Sequence, residues 1–194
     1  MKILVGTNNE NKLRQFRRIF NNLNFESELL SLKDAGIKDD IKEDGNTLID
    51  NAKKKAKYYA EKSNLPTLAD DTGLFIDALN GEPGVHAKRW HAGTEKDRYM
   101  MILERMRGED KRSCRYIGAL AFYNPENKEF WTYEKSIEGK IAYEPKDVGG
   151  FGYDAIFISL DFNKYYSELT DEEKDKILHR TLGAKELVKY LKES

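Results

Sequence analysis

Two adjacent carboxylates, Asp70 and Asp71, follow the apolar, β-prone run from Pro66 to Ala69 and precede the pair Thr72-Gly73. A strand of that kind ending in carboxylates is where an enzyme would hold a metal ion, because open α/β sheets gather ligands beyond the carboxyl ends of their strands. On extended backbone neighbouring side chains point to opposite faces, so only one of the two serves a given pocket unless the chain turns. Gly73 allows such a turn. The plain alternative is a surface Asp-Asp turn with no chemistry at all.

Other segments offer complementary groups. Thr7, Asn8, Asn9, Glu10, Asn11 and Lys12 lie between a predicted strand and a predicted helix, where a helix N-terminus, side-chain amides and an ammonium suit phosphate. Ordinary helix capping explains the same residues. Neither this loop nor GGFGYD (Gly149 to Asp154) has the spacing of a Walker or dinucleotide-binding loop. Glu43 sits just before a predicted helix start, a place that also suits a carboxylate for electrostatic reasons alone. Lys55 falls between Ala52 and Tyr59 on the apolar side of that helix, so it either snorkels or meets an anion. GGFGYD brings a pliant backbone and the aromatic face of Phe151 to one place, and also suits a bend in a strand. His179 and Arg180 either cap the preceding helix or donate to a ligand.

The elements that would carry these groups follow from periodicity. Lys2 to Thr7 reads as a buried strand, and Leu13, Phe16, Ile19 and Phe20 recur at helical spacing. A strand is expected near Glu26 to Leu32, then a polar loop from Lys33 to Asn46. Thr47 with Asp50 opens a helix whose stripe is Leu48, Ala52, Ala56, Tyr59 and Ala60, reaching about Glu61. Thr94 and Asp97 open another, carrying Met101, Ile102 and Met106. Ser113 to Tyr123 and Glu129 to Ile137 read as an antiparallel hairpin, and Ala155 to Ile158 as a short strand. Thr170 and Glu173 cap a helix bearing Lys174, and a last amphipathic helix runs from about Thr181 to Lys192. The sum is a single α/β domain over 1–194 with a mixed sheet.

Composition narrows the function classes. A net charge of -1 and a pI near 6.4 leave no excess of either sign for general nucleic-acid or membrane-surface binding. The lone Cys114 excludes an intramolecular disulfide framework and lies in a strand-like run, as a buried thiol would. Met1-Lys2 leads straight into ILVG without a signal-like apolar region, which fits a soluble cytoplasmic protein.

Six segments in order, TNNENK, EDGNTLIDNAKKKA, LADDTGL, GEPGV, GGFGYDAIF and ELTDEEKDKILHR, resemble the inosine triphosphate pyrophosphatase family. The resemblance spans the whole chain. It implies an elongated α/β fold with a central mixed sheet, two lobes with a substrate cleft between them, and a homodimer. It also implies magnesium-dependent hydrolysis of the non-standard purine nucleoside triphosphates ITP, dITP and XTP to monophosphate and pyrophosphate. By the same resemblance Asp71 is the catalytic acidic residue and a metal ligand, and Glu43 is the second magnesium-holding carboxylate. Asp70 is a support. Lys12 and Lys55 would hold the triphosphate, with Thr7, Asn9 and Thr72 adding hydrogen bonds and the rest of TNNENK completing the loop. Phe151 would stack on the purine with Gly152, Tyr153 and Asp154 around it, while Lys174, His179 and Arg180 would read the oxidised purine edge. Two further readings are a septum-formation-inhibitor-like nucleotide pyrophosphatase, whose amino-terminal signature is SPRR-like where this chain has TNNENK, and a nucleotide-binding regulator without turnover.

Overall fold

The computed structural model of the chain describes residues 1–193. Among these, eight strands and five α-helices form a mixed α/β fold in the order β1 (Lys2–Val5), α1 (Glu10–Asn22), β2 (Glu28–Leu30), α2 (Leu48–Ser63), β3 (Thr67–Ile76), β4 (Pro83–Gly84), α3 (Glu95–Arg105), β5 (Ser113–Asn124), β6 (Glu129–Ile141), β7 (Phe157–Ser159), β8 (Lys164–Tyr165), α4 (Asp171–Ile177) and α5 (His179–Glu193). The sheet runs β2-β1-β3-β5-β6-β7-β8, with β4 beside β3. β1 pairs in parallel with β2 and β3, while β3–β4, β6–β7 and β7–β8 are antiparallel. No helix among the described residues is long and apolar enough to cross a membrane.

The chain forms two compact units. The first comprises Met1–Asp71, Gly118–Lys135 and the chain from Leu178 on; the second comprises Thr72–Ile117 and Ser136–Ile177. In the first unit, strand alternation decides which helix meets which side chain. Ile3, Val5 and Leu68 join the core made with Leu13, Phe16, Ile19 and Phe20 of α1 and Ala184, Leu187 and Val188 of α5. Leu4, between Ile3 and Val5, points the other way and packs with Leu32 and with Tyr59 of α2. The second unit has its own core, in which Leu74, Ile76, Ile102, Met106, Ile141, Ile156 and Phe157 are at most 1 % exposed. Cys114 is buried there as a free thiol, and burial pushes its pKa up.

The caps are where side-chain chemistry puts them. Asn9 caps α1 by accepting from the N–H groups of Asn11 and Lys12, and Thr47 caps α2 by accepting from Asp50 N–H. Thr94–Asp97 and Thr170–Glu173 close reciprocal capping boxes at α3 and α4. Three expectations need correction. β3 does not stop at the carboxylates but runs through Asp70, Asp71, Thr72 and Gly73 to Ile76. Gly73 makes room there instead of a turn: a Cβ would stand 2.6 Å from the Gly84 carbonyl oxygen of the neighbouring strand β4. And α5 begins at His179, so His179 and Arg180 open the last helix and do not cap the preceding one.

Candidate active site

The alternation along β3 separates the two carboxylates. Leu68 faces α1 and α5, so Asp70, two residues on, faces them too; Asp71 faces α2. The two sides then carry different chemistry.

On the α1/α5 side, Asp70 is 1 % exposed and its Oδ2 gathers cations. Arg180 donates Nε at 2.9 Å and lies with Nη2 at 2.7 Å, Lys12 Nζ stands at 3.2 Å, and His179 Nε2 lies at 3.5 Å. Arg180 Nη1 also donates to Gln15 Oε1 on α1 at 3.0 Å. Burial pushes the Asp70 carboxyl up, but Arg180 and then Lys12 outweigh it and hold the group well below the usual carboxylate range. Burial in turn lowers Lys12 to about 8 against the pull of Asp70. His179 is lowered to about 4, by burial first and by Arg180 next, so its ring is neutral at pH 7. That ring lies against β5 where Gly118 stands; a Cβ there would come within 2.2 Å of it. Asp70 Oδ1 and His179 Nε2 are buried without a hydrogen bond.

On the α2 side, Lys55 Nζ donates to Glu43 Oε1 at 2.6 Å and to Asp71 Oδ1 at 3.1 Å. Asn51, one helical turn earlier, donates Nδ2 to Asp71 Oδ2 at 3.0 Å and accepts from Gly45 N–H at 2.8 Å. Asp71 is 7 % exposed, and burial raises its carboxyl; Lys55 opposes the rise and the like charge of Glu43 adds to it, leaving the pKa above normal. Lys55 loses charge affinity to burial but gains more from Asp71, Glu43 and Asp70, so its pKa lies above normal. Lys55 is therefore an inward cation that meets anions, one of the two outcomes its place on the helix allowed.

The loop residues are engaged locally. Thr7 Oγ1 accepts from Asn9 N–H at 3.1 Å, and Asn11 Oδ1 accepts from Arg14. Asn8 and Glu10 are exposed. In the second unit, GGFGYD forms a turn in which Asp154 Oδ2 accepts from Phe151 N–H at 3.1 Å, and Glu95 accepts from Gly152 N–H at 2.8 Å. Phe151 is half-buried, whereas Tyr153 sinks into the core and donates its hydroxyl to the Ala87 carbonyl at 2.6 Å. Lys174 on α4 is half-buried with its ammonium 5.2 Å from the centre of the Tyr166 ring. Asn51 and Gln15 were not anticipated. Asn51 falls four residues before Lys55, so an inward Lys55 already implied an inward polar Asn51; Gln15 carries no signal of that kind, since only the distant Arg180 explains it.

The carboxylates suit one class of ion. No group of three or more His, Cys, Asp or Glu side chains among the described residues could hold a metal. Magnesium, however, keeps several waters and is bound by one or two carboxylates together with substrate phosphates. Glu43 and Asp71, like charges that already share one cation in Lys55, fit that pattern and not a closed cage of protein ligands.

A mixed α/β fold carrying two ammonium groups and two separately tuned carboxylates, at a strand flanked by helix N-termini, has the parts of a phosphate-handling hydrolase. The chain belongs to the Ham1 family, whose model matches residues 3–190. It is 40 % identical over 193 residues to a dITP/XTP pyrophosphatase of Halalkalibacterium halodurans, with 97 % of each chain covered. It is 39 % identical over 193 residues to a dITP/XTP pyrophosphatase of Bacillus subtilis, covering 97 % of this chain and 96 % of that one. A solved structure of a Ham1 protein from Coxiella burnetii superposes with a TM-score of 0.88 at 32 % identity, covering 100 % of both chains.

Proposed function

We propose that the chain hydrolyses ITP, dITP and XTP to the monophosphate and pyrophosphate, clearing non-standard purines from the nucleotide pool. The observation that carries this reading is the asymmetry of the adjacent carboxylates: Asp70 neutralised among cations, Asp71 with a raised pKa beside Lys55 and Glu43. The relatives named as dITP/XTP pyrophosphatases supply the substrate class.

In this mechanism Lys12 and Lys55 hold the triphosphate, with Thr7, Asn8 and Asn9 of the loop before α1, Glu10 and Asn11 of its first turn, and Thr72 adding a hydroxyl. Asp71 accepts a proton from a water that attacks the α-phosphorus; burial and the like charge of Glu43 raise its pKa, which makes it a stronger base than an ordinary carboxylate. The bond to the bridging oxygen of the β-phosphate breaks, and its electron pair leaves with pyrophosphate. Magnesium held by Glu43 and Asp71 would neutralise charge on the phosphate oxygens. Phe151 is assigned to stacking on the purine, with Gly152, Tyr153 and Asp154 around it. Lys174, His179 and Arg180 are assigned to the 6-oxo edge, where donors welcome hypoxanthine and xanthine and meet the adenine amino group donor to donor. The reading takes residues 1–194 as one pyrophosphatase domain acting as a cytoplasmic homodimer, and light scattering on the purified protein tests the dimer.

The deciding measurement is pyrophosphate release from ITP, dITP and XTP against the four standard ribonucleoside triphosphates, with magnesium and with excess chelator, alongside calorimetric titration of magnesium into the protein. Preference for the first three, lost on chelation, is the expected result. Equal rates on all seven would overturn the substrate assignment, and nucleotide binding without turnover would make the chain a regulator.

A further inference from the structure

Asn51 is wholly buried on the inward face of α2, one turn before Lys55. Its carboxamide is used at both ends, accepting from Gly45 N–H at 2.8 Å and donating to Asp71 Oδ2 at 3.0 Å. The partners fix which end is which, because a backbone N–H only donates and an ionised carboxylate only accepts. Gly45 approaches so closely that a Cβ on it would stand 2.7 Å from Asn51 Oδ1 and 2.9 Å from Asp50 Cβ. The loop is thus pressed onto the helix at Gly45, two residues beyond Glu43, whose Oε1 meets Lys55 at 2.6 Å. One face of α2 therefore ties the Glu43 loop to Asp71 twice: through Lys55 by charge, and through Asn51 by a neutral bridge that does not depend on Lys55.

We infer that Asn51 is a positioning residue, which orients the Asp71 carboxylate through Oδ2 and holds the Glu43 loop at its working distance from it. The inference rests on the hydrolysis proposed above. It explains why a wholly buried carboxamide stands beside Lys55 on the buried face of α2: an apolar side chain there would leave both Gly45 N–H and Asp71 Oδ2 without this partner. With Oδ2 fixed, Oδ1 is the oxygen that faces Lys55, so a single orientation of the carboxylate is presented to the reaction.

Asn51→Asp keeps the acceptor for Gly45 and sets a carboxylate against Asp71; Gly45→Ala attacks the same bridge from the loop side. For each, kcat and KM for ITP are measured by pyrophosphate release, together with calorimetric binding of a non-hydrolysable α,β-methylene analogue. We expect kcat to fall about a hundredfold in both, since displacing a catalytic group by an ångström has that scale. KM and analogue affinity should stay within about threefold, a split that simple loss of folded protein would not produce. Rates within about threefold of the parent in either folded variant, or losses confined to KM, overturn the role of Asn51. Should Asn51→Asp fail to fold, Gly45→Ala decides alone. A parent chain that hydrolyses none of the triphosphates overturns the reading beneath, whereas an active parent with unaffected variants overturns the positioning role alone.

Discussion

Replacing Asp70 with Asn removes a buried anion that Arg180 and Lys12 share. Arg180 is 3 % exposed and sends Nε and Nη2 to Asp70 Oδ2, at 2.9 and 2.7 Å, with Lys12 Nζ at 3.2 Å. Breaking a buried pair from one side costs about 3–5 kcal/mol, because the remaining charge stays desolvated. Two features place this case toward the lower end. Lys12, already lowered to about 8, sheds its proton readily once Asp70 is neutral. Arg180 cannot do so, but it keeps Gln15 and an amide oxygen as acceptors. One feature adds to the cost: the new amide nitrogen takes the place of Oδ1 or Oδ2, and Oδ1 has no hydrogen-bond partner. A loss near 3 kcal/mol lowers the melting temperature by about 6–12 °C, at roughly 2–4 °C per kcal/mol for a chain of this size. The assay is thermal and urea unfolding followed by fluorescence; Trp131 packs against the core of the first unit and Trp90 against that of the second, so Trp90→Phe isolates the unit that holds Asp70. Because the folded-state pKa is depressed, the stabilisation is complete above the unfolded-state value near 4 and is lost as pH falls toward the folded-state value. The gap between parent and variant should therefore close below about pH 4. A melting shift under about 2 °C at pH 7, or a gap that persists undiminished to about pH 2, would refute the argument.

Asp71→Asn should lower kcat by at least about a thousandfold, as for loss of a general base, while melting stays within about 3 °C of the parent, because burial and Glu43 already disfavour the charged carboxyl; near-parent turnover would remove Asp71 from the chemistry. Above pH 8 the Lys12 ammonium deprotonates, so kcat/KM should fall with an apparent pKa of about 8 on top of any other titration, and Lys12→Arg should abolish that limb. Lys174→Ala should narrow the ratio of kcat/KM for ITP over ATP; a uniform loss on all purines would deny Lys174 a part in base reading.

The division between Asp70 and Asp71 was legible in the sequence, because strand alternation alone sends adjacent side chains to different neighbours. The helical phase of Lys55 showed that it faces inward but left snorkelling and pairing with an anion both open, and Glu43 stood out only through its motif. The length of β3 was not legible: Asp, Asp and Gly lower strand propensity, and it is the pairing with β5 on one side and of Leu74 and Phe75 with Gly84 and Pro83 of β4 on the other that carries the strand past them. From the sequence His179 and Arg180 fit either the end of one helix or a pair of donors to a ligand; in the fold they open the last helix, where Arg180 meets Asp70 and Gln15, far away in sequence. Long-range counter-ions of that kind leave no periodic trace.

The Asp70–Arg180 bond also ties the completion of the first unit to the end of synthesis. Its partners are 110 residues apart, and the first unit is assembled from three separated stretches of chain, the last beginning at Leu178. Every residue of the second unit has been made by Ile177, before Arg180 exists to neutralise Asp70. The unit that holds Asp70, Asp71, Lys12 and Lys55 therefore cannot be completed before the final helix has been made, because that helix brings the countercharge of its most deeply buried carboxylate.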